Sequence, residues 1–123
     1  MMAYVRPTLL LVVVGSHYFT KLLIWGGLPY QASNGKDALE IIKINKVDLV
    51  ISDIRMPNGD GVELLCNIKD QNVCKPIVIL MSGFTETSVK DLYQMGADAY
   101  FSKPFEASHI LKTVQELILK KSV

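Results

Sequence analysis

A continuous apolar run rich in β-branched residues occupies positions 8–14, and two further apolar-rich segments, 47–52 (broken by Asp48) and 76–81, follow it. Each is far shorter than the ~20 residues a membrane span requires. None shows the polar alternation of a half-solvated strand, so each reads as a strand covered on both faces. Weaker strand signals at 28–32 and 99–102 complete a set of five, and Pro29 suits the first of these to a sheet edge. Helical patterns lie between and after the strands. Residues 16–25 form a short candidate, and 35–46 place Ala38, Leu39, Ile41 and Ile42 on one stripe. The turn-rich segment Met56-Pro-Asn-Gly-Asp-Gly61 leads into Val62, Leu64, Leu65 and Ile68. A helix over 86–95 closes at Gly96, a natural terminating residue. Ile110, Leu111, Val114, Leu117 and Ile118 mark a final amphipathic helix. The resulting (βα)5 alternation implies a parallel sheet with helices on both faces. Open sheets of this kind carry their chemistry at the carboxyl ends of the strands.

The chain has 123 residues, which suits one domain over 1–123, with no repeat, low-complexity tract or linker. Half the residues are apolar and the net charge is +1, with basic residues scattered. That excludes the clustered basic face of a nucleic-acid binder. Lys120 and Lys121 read as a solvated helix end. Cys66, placed on a buried helix face, and Cys74 form no CxxC pair, so they read as reduced thiols in a cytoplasmic protein rather than zinc ligands. Arg6 followed by the apolar run at 9–14 has the outline of a secretory signal. The sheet needs that run as a central strand, however, and polar Gly15-Ser16-His17 follows it directly.

The strand ends bring particular chemistry together. The third strand ends at Asp53, the fourth at Ser82–Gly83 and the fifth at Lys103–Pro104. A carboxylate, a hydroxyl and an ammonium thus converge on one edge. A carboxylate can accept a phosphoryl group as a mixed anhydride. The hydroxyl and the ammonium can then bind its oxygens.

These segments carry a resemblance. Val50-Ile-Ser-Asp53-Ile-Arg-Met-Pro-Asn-Gly-Asp-Gly61 resembles the phosphorylation segment of response-regulator receiver domains. Ile79-Leu-Met-Ser82-Gly83 resembles their hydroxyl switch segment, and Gly96-Ala-Asp-Ala-Tyr100-Phe-Ser-Lys103-Pro104-Phe105 their lysine segment. Ala32-Ser-Asn-Gly-Lys-Asp-Ala-Leu39 resembles the start of their second helix, so the likeness covers essentially the whole chain. It implies a flavodoxin-like α/β fold with strand order 2-1-3-4-5 and a role in phosphorelay signalling rather than enzymatic turnover. It also implies roles for residues. Asp53 is the phosphoacceptor, Ser82 and Gly83 contact the phosphoryl group, and Lys103 pairs with it. Tyr100 is the aromatic that turns inward, and the Lys103–Pro104 bond is cis. Arg55 and Gly15 border the site, with the Arg55 carbonyl offered to a metal. Asp60 reads more simply as a helix cap. The implied partners are a histidine kinase or phosphotransfer protein, or another signalling protein. The helix over 86–95, the strand over 99–102 and the final helix form the implied output face, with Lys90, Tyr93, Phe101 and Lys112. That face also admits a homodimer.

The pattern breaks after the first strand. Receivers usually carry two adjacent acids there, which bind Mg2+ together with the phosphoacceptor. Here the segment reads Leu11-Val-Val-Val-Gly-Ser-His17, without an acid, and the gap to Ala32 is short by about four residues, one helical turn. Mg2+ usually relies on one or two carboxylates. Asp53 is left as the only evident one, so weak Mg2+ binding and impaired phosphorylation are expected. The alternative is a pseudo-receiver, a docking module that works without phosphorylation, with Lys103 paired to Asp53. A third reading, a flavodoxin-like binder of FMN or a nucleotide, fails on the glycine pattern. Gly15-Ser-His-Tyr-Phe-Thr-Lys21 lacks the glycine before the lysine and the Ser/Thr after it. His17 reads as a helix-start residue rather than a ligand.

Overall fold

A computed structural model describes residues 9–12, 30–54, 61–71, 76–82, 88–102 and 107–122. Its strands are β1 (Leu9–Val12), β2 (Tyr30–Ala32), β3 (Leu49–Asp53), β4 (Ile77–Ser82) and β5 (Ala99–Ser102). The described helices are α1 (Gly35–Ile44), α2 (Gly61–Gln71), α3 (Val89–Gln94) and α4 (Ala107–Ser122). The strands form one parallel sheet in the order β2-β1-β3-β4-β5. This is the receiver-like order, and the run at 9–12 takes the interior position expected of it. The helix expected over 16–25 lies outside the described residues.

Alternation along the strands divides the core in two. Val50, Ile54, Val78 and Leu80 pack with Ala38, Leu39 and Ile42 of α1, Leu64, Leu65 and Ile68 of α2, and Leu92 of α3. Leu49, Ile51, Ile77, Ile79 and Met81 pack with Ile110 and Val114 of α4. Every residue of β3 and β4 is buried, as the uninterrupted apolar runs require.

Element ends differ from the expected ones where side-chain capping intervenes. The first described helix stops at Ile44 instead of 46, because Asn45 turns extended and both its backbone N–H and its Nδ2 donate to the Ile41 carbonyl, at 2.9 and 3.1 Å. The helix expected from 86 begins at Val89. Ser88 is extended, and its hydroxyl accepts the Asp91 N–H at 3.1 Å. Gly96 adopts φ +109°, the left-handed region expected of a helix terminator. Cys66 is half-buried on α2 rather than fully inside. Asp60 and Cys74 lie outside the described residues.

Candidate functional site

Asp53 is the last residue of β3, and its register partner on β4 is Met81, next to Ser82. Both polar residues are enclosed: Asp53 is 7% exposed and Ser82 4%. The Asp53 Oδ1 atom is shut off from solvent.

The backbone around Asp53 is held from three sides. The Ile54 N–H donates to the Met81 carbonyl at 2.9 Å, tying the end of β3 to β4. The Ile54 carbonyl accepts the Gly61 N–H at 2.8 Å, which pins the first residue of α2 beneath the strand. The buried Ser52 hydroxyl donates to the Asp53 carbonyl at 2.8 Å. Gly61 is needed for this closeness. A Cβ there would run into the Asp53 carbonyl oxygen and sit 3.0 Å from the Ile54 Cα. The turn-rich sequence marked the site of a sharp reversal, but not this contact.

Tyr100 reaches the same edge from β5. It is half-buried against the α1–α3 side of the core, and its hydroxyl lies 3.5 Å from the Ser82 carbonyl, at the outer limit of a hydrogen bond. The structure therefore brings together Asp53, Ser82 and Tyr100. Gly15, Arg55, Gly83, Lys103 and the Lys103–Pro104 bond lie outside the described residues. No group of three or more His, Cys, Asp or Glu is placed to hold a metal ion among the described residues.

Comparison with known proteins bears on what this edge is. A family model described as the response regulator receiver domain matches residues 29–115. The chain belongs to that family. The receiver is 31% identical over 121 residues to sporulation initiation phosphotransferase F of Bacillus subtilis, covering 91% of this chain and 95% of that protein. It is 33% identical over 85 residues to the transcriptional regulatory protein PdtaR of Mycobacterium tuberculosis, covering 69% of this chain but only 41% of that protein. Among solved structures it is similar to the receiver domain of Francisella response regulator 1452. There the TM-score is 0.82 at 28% identity, over 94% of this chain and 99% of that one. The receiver match accounts for the strand order. Receiver domains are signalling modules that interact with histidine kinases or phosphotransfer proteins, and they generally bind Mg2+. The match begins at residue 29, beyond β1 and the acid-free segment that follows it.

Proposed function

We propose that this chain is one receiver domain that takes part in phosphorelay signalling, with Asp53 as its phosphoacceptor and its Mg2+-dependent phosphorylation impaired. The observation that carries the reading is the enclosure of Asp53 at the end of β3, one register step from Ser82. A carboxylate oxygen of Asp53 would attack the phosphorus of a phosphohistidine. The phosphorus–nitrogen bond breaks and the imidazole leaves. Ser82 and Gly83 would donate to the phosphoryl oxygens. Lys103, which directly follows β5 in the chain, would pair with them, and Arg55 and Gly15 would border them.

The donor set does not suit Mg2+. Segment 11–17 supplies no carboxylate to join Asp53, and an octahedral ion bound by a single acid is weakly held. No step of the reaction is therefore assigned to the metal.

A second reading has its own support. Tyr100 already lies half-buried with its hydroxyl near the Ser82 carbonyl. That position fits a pseudo-receiver held in one state by an Asp53–Lys103 pair and used for docking. Under either reading the partners are signalling proteins, reached through the face formed by α3, β5 and α4. Lys90, Tyr93 and Lys112 are exposed there and Phe101 is half-buried, and a homodimer could use the same face. Among the described residues no helix is long and apolar enough to cross a membrane. A cytoplasmic location is part of the proposal.

The test is intact-mass spectrometry after incubation with acetyl phosphate or phosphoramidate, with and without Mg2+. The expected result is a small adduct population, weakly dependent on Mg2+ and abolished by Asp53→Asn. Complete, strongly Mg2+-dependent modification would overturn the impairment. No adduct at all on folded protein would favour the pseudo-receiver.

A further inference from the structure

The end of the sheet opposite Asp53 holds a second recess. A cleft of about 430 Å3 opens beside the first residue of β4 and the residues leading into β5, lined in part by Lys69, Ile77, Ala97, Asp98, Leu117 and Lys120. That volume falls within the range of ~300–1,000 Å3 usual for small-molecule sites. Its floor is apolar: Ile77 and Ala97 are 5% and 6% exposed. Half-buried Leu117 forms a wall.

Two lysines line this cleft. Lys69 comes from the last turn of α2 and Lys120 from the last turn of α4. Lysines in such turns commonly complement the helix dipole. Here the two helices lie on opposite faces of the sheet, and both lysines nevertheless reach one cleft. The Lys69 stem has a defined path. A Cβ on Gly96 would lie 2.7 Å from its Cε and 3.2 Å from its Cδ, so the bare glycine leaves the groove in which the stem lies. Asp98 is the acid lining the cleft, and its Oδ2 is turned to the sheet, accepting the Val78 N–H at 2.8 Å.

We propose that this cleft binds a small organic anion, with a phosphate or carboxylate head between Lys69 and Lys120 and an apolar body against Ile77, Ala97 and Leu117. The site is separate from the phosphoacceptor. Ile77 and Ser82 sit at opposite ends of β4, roughly 17 Å apart at the usual rise per strand residue. Binding therefore stands whether or not Asp53 is phosphorylated.

The experiment is an amide chemical-shift titration of the 15N-labelled full chain with phenyl phosphate, alongside inorganic phosphate and neutral phenol. Saturable shifts are expected at Ile77, Val78, Ala97 and Asp98, with phenyl phosphate binding more tightly than either comparison compound. Lys69→Met and Lys120→Met keep the stems and remove the charges. Each should weaken binding roughly tenfold, the size of one charge-assisted hydrogen bond, while the free variants keep wild-type spectra. Asp53→Asn should retain the shifts. Shifts confined to the neighbourhood of Asp53 and Ser82, an affinity unchanged in the double methionine variant, or equal binding of inorganic phosphate would overturn the proposal. So would an acidic peptide that moves these amides where phenyl phosphate does not, since the cleft would then be a protein contact.

Discussion

Two glycines show how much a single hydrogen atom in place of a side chain can decide. At Gly61 the added methyl of Gly61→Ala would press on backbone atoms of Asp53 and Ile54, which are held by hydrogen bonds and cannot move aside. At Gly96 the obstacle is the flexible Lys69 stem, and the strain comes from the positive φ. Overpacking against rigid backbone typically destabilises by about 2 kcal/mol, whereas one alanine in the left-handed region costs about 1 kcal/mol. Urea denaturation should therefore find Gly61→Ala the more damaging of the two, with folded Gly61→Ala protein also losing any phosphoryl adduct at Asp53. An order reversed in the midpoints would mean that α2 can shift away from β3. Sequence inspection alone treats both glycines as turn residues. The distinction depends on what lies opposite each one.

At the scale of elements, α1 is defined by its ends. The Asn34 side chain accepts the Asp37 N–H at 2.8 Å, and Asn34 Nδ2 donates to the Asp37 carboxylate at 3.1 Å. At the other end Asn45 closes on Ile41, and the Tyr30 hydroxyl donates to Asn45 Oδ1 at 3.1 Å, linking edge strand β2 to the helix. Asn34→Ala should lower stability by about 1 kcal/mol, and Asn34→Asp by much less, since aspartate caps comparably. Chemical denaturation of both variants checks this. Equal losses would place the contribution in the Nδ2 contact instead. The N-cap is legible in the sequence because Asn-Gly-x-Asp precedes an apolar stripe. The stop at Ile44 is less so, because Lys46 is a good helix former and only the Asn45 bonds end the helix before it. The same limit applies to α3, where Thr87 and Glu86 look helical and the Ser88 cap determines the start.

Across the whole molecule, stability rests on a sheet buried on both sides. Leu80 is fully buried between β4 and the α1–α3 layer, whereas Leu119 on α4 is 69% exposed. Leu80→Ala should destabilise by roughly 2–5 kcal/mol, the usual range for a core cavity. Leu119→Ala should stay within about 0.5 kcal/mol. A large loss at Leu119 in equilibrium unfolding would show that the end of α4 is covered in solution, for example by a second copy. The five strands and the positions of Asp53 and Ser82 were legible because fully buried parallel strands leave uninterrupted apolar runs, and open sheets place polar residues where those runs end. The enclosure of Asp53, the nearness of Tyr100 to the Ser82 carbonyl and the cleft at the other end were not. Lys69, Asp98 and Lys120 belong to three segments with no shared pattern, and nothing local marks them as neighbours.

The sequence by itself determined the five strands and the helices seen among the described residues, the acid that ends the third strand, and that no acid follows the first strand. Each of these depends on residue type and near-neighbour spacing, which sterics, periodicity and capping translate directly into local structure. The tertiary structure decided how deeply Asp53 is enclosed, which backbone presses on Gly61, and which charges from opposite faces of the sheet share a cleft. Those outcomes depend on how elements distant in the chain pack together, and packing is set by the fit of whole surfaces rather than by any one segment.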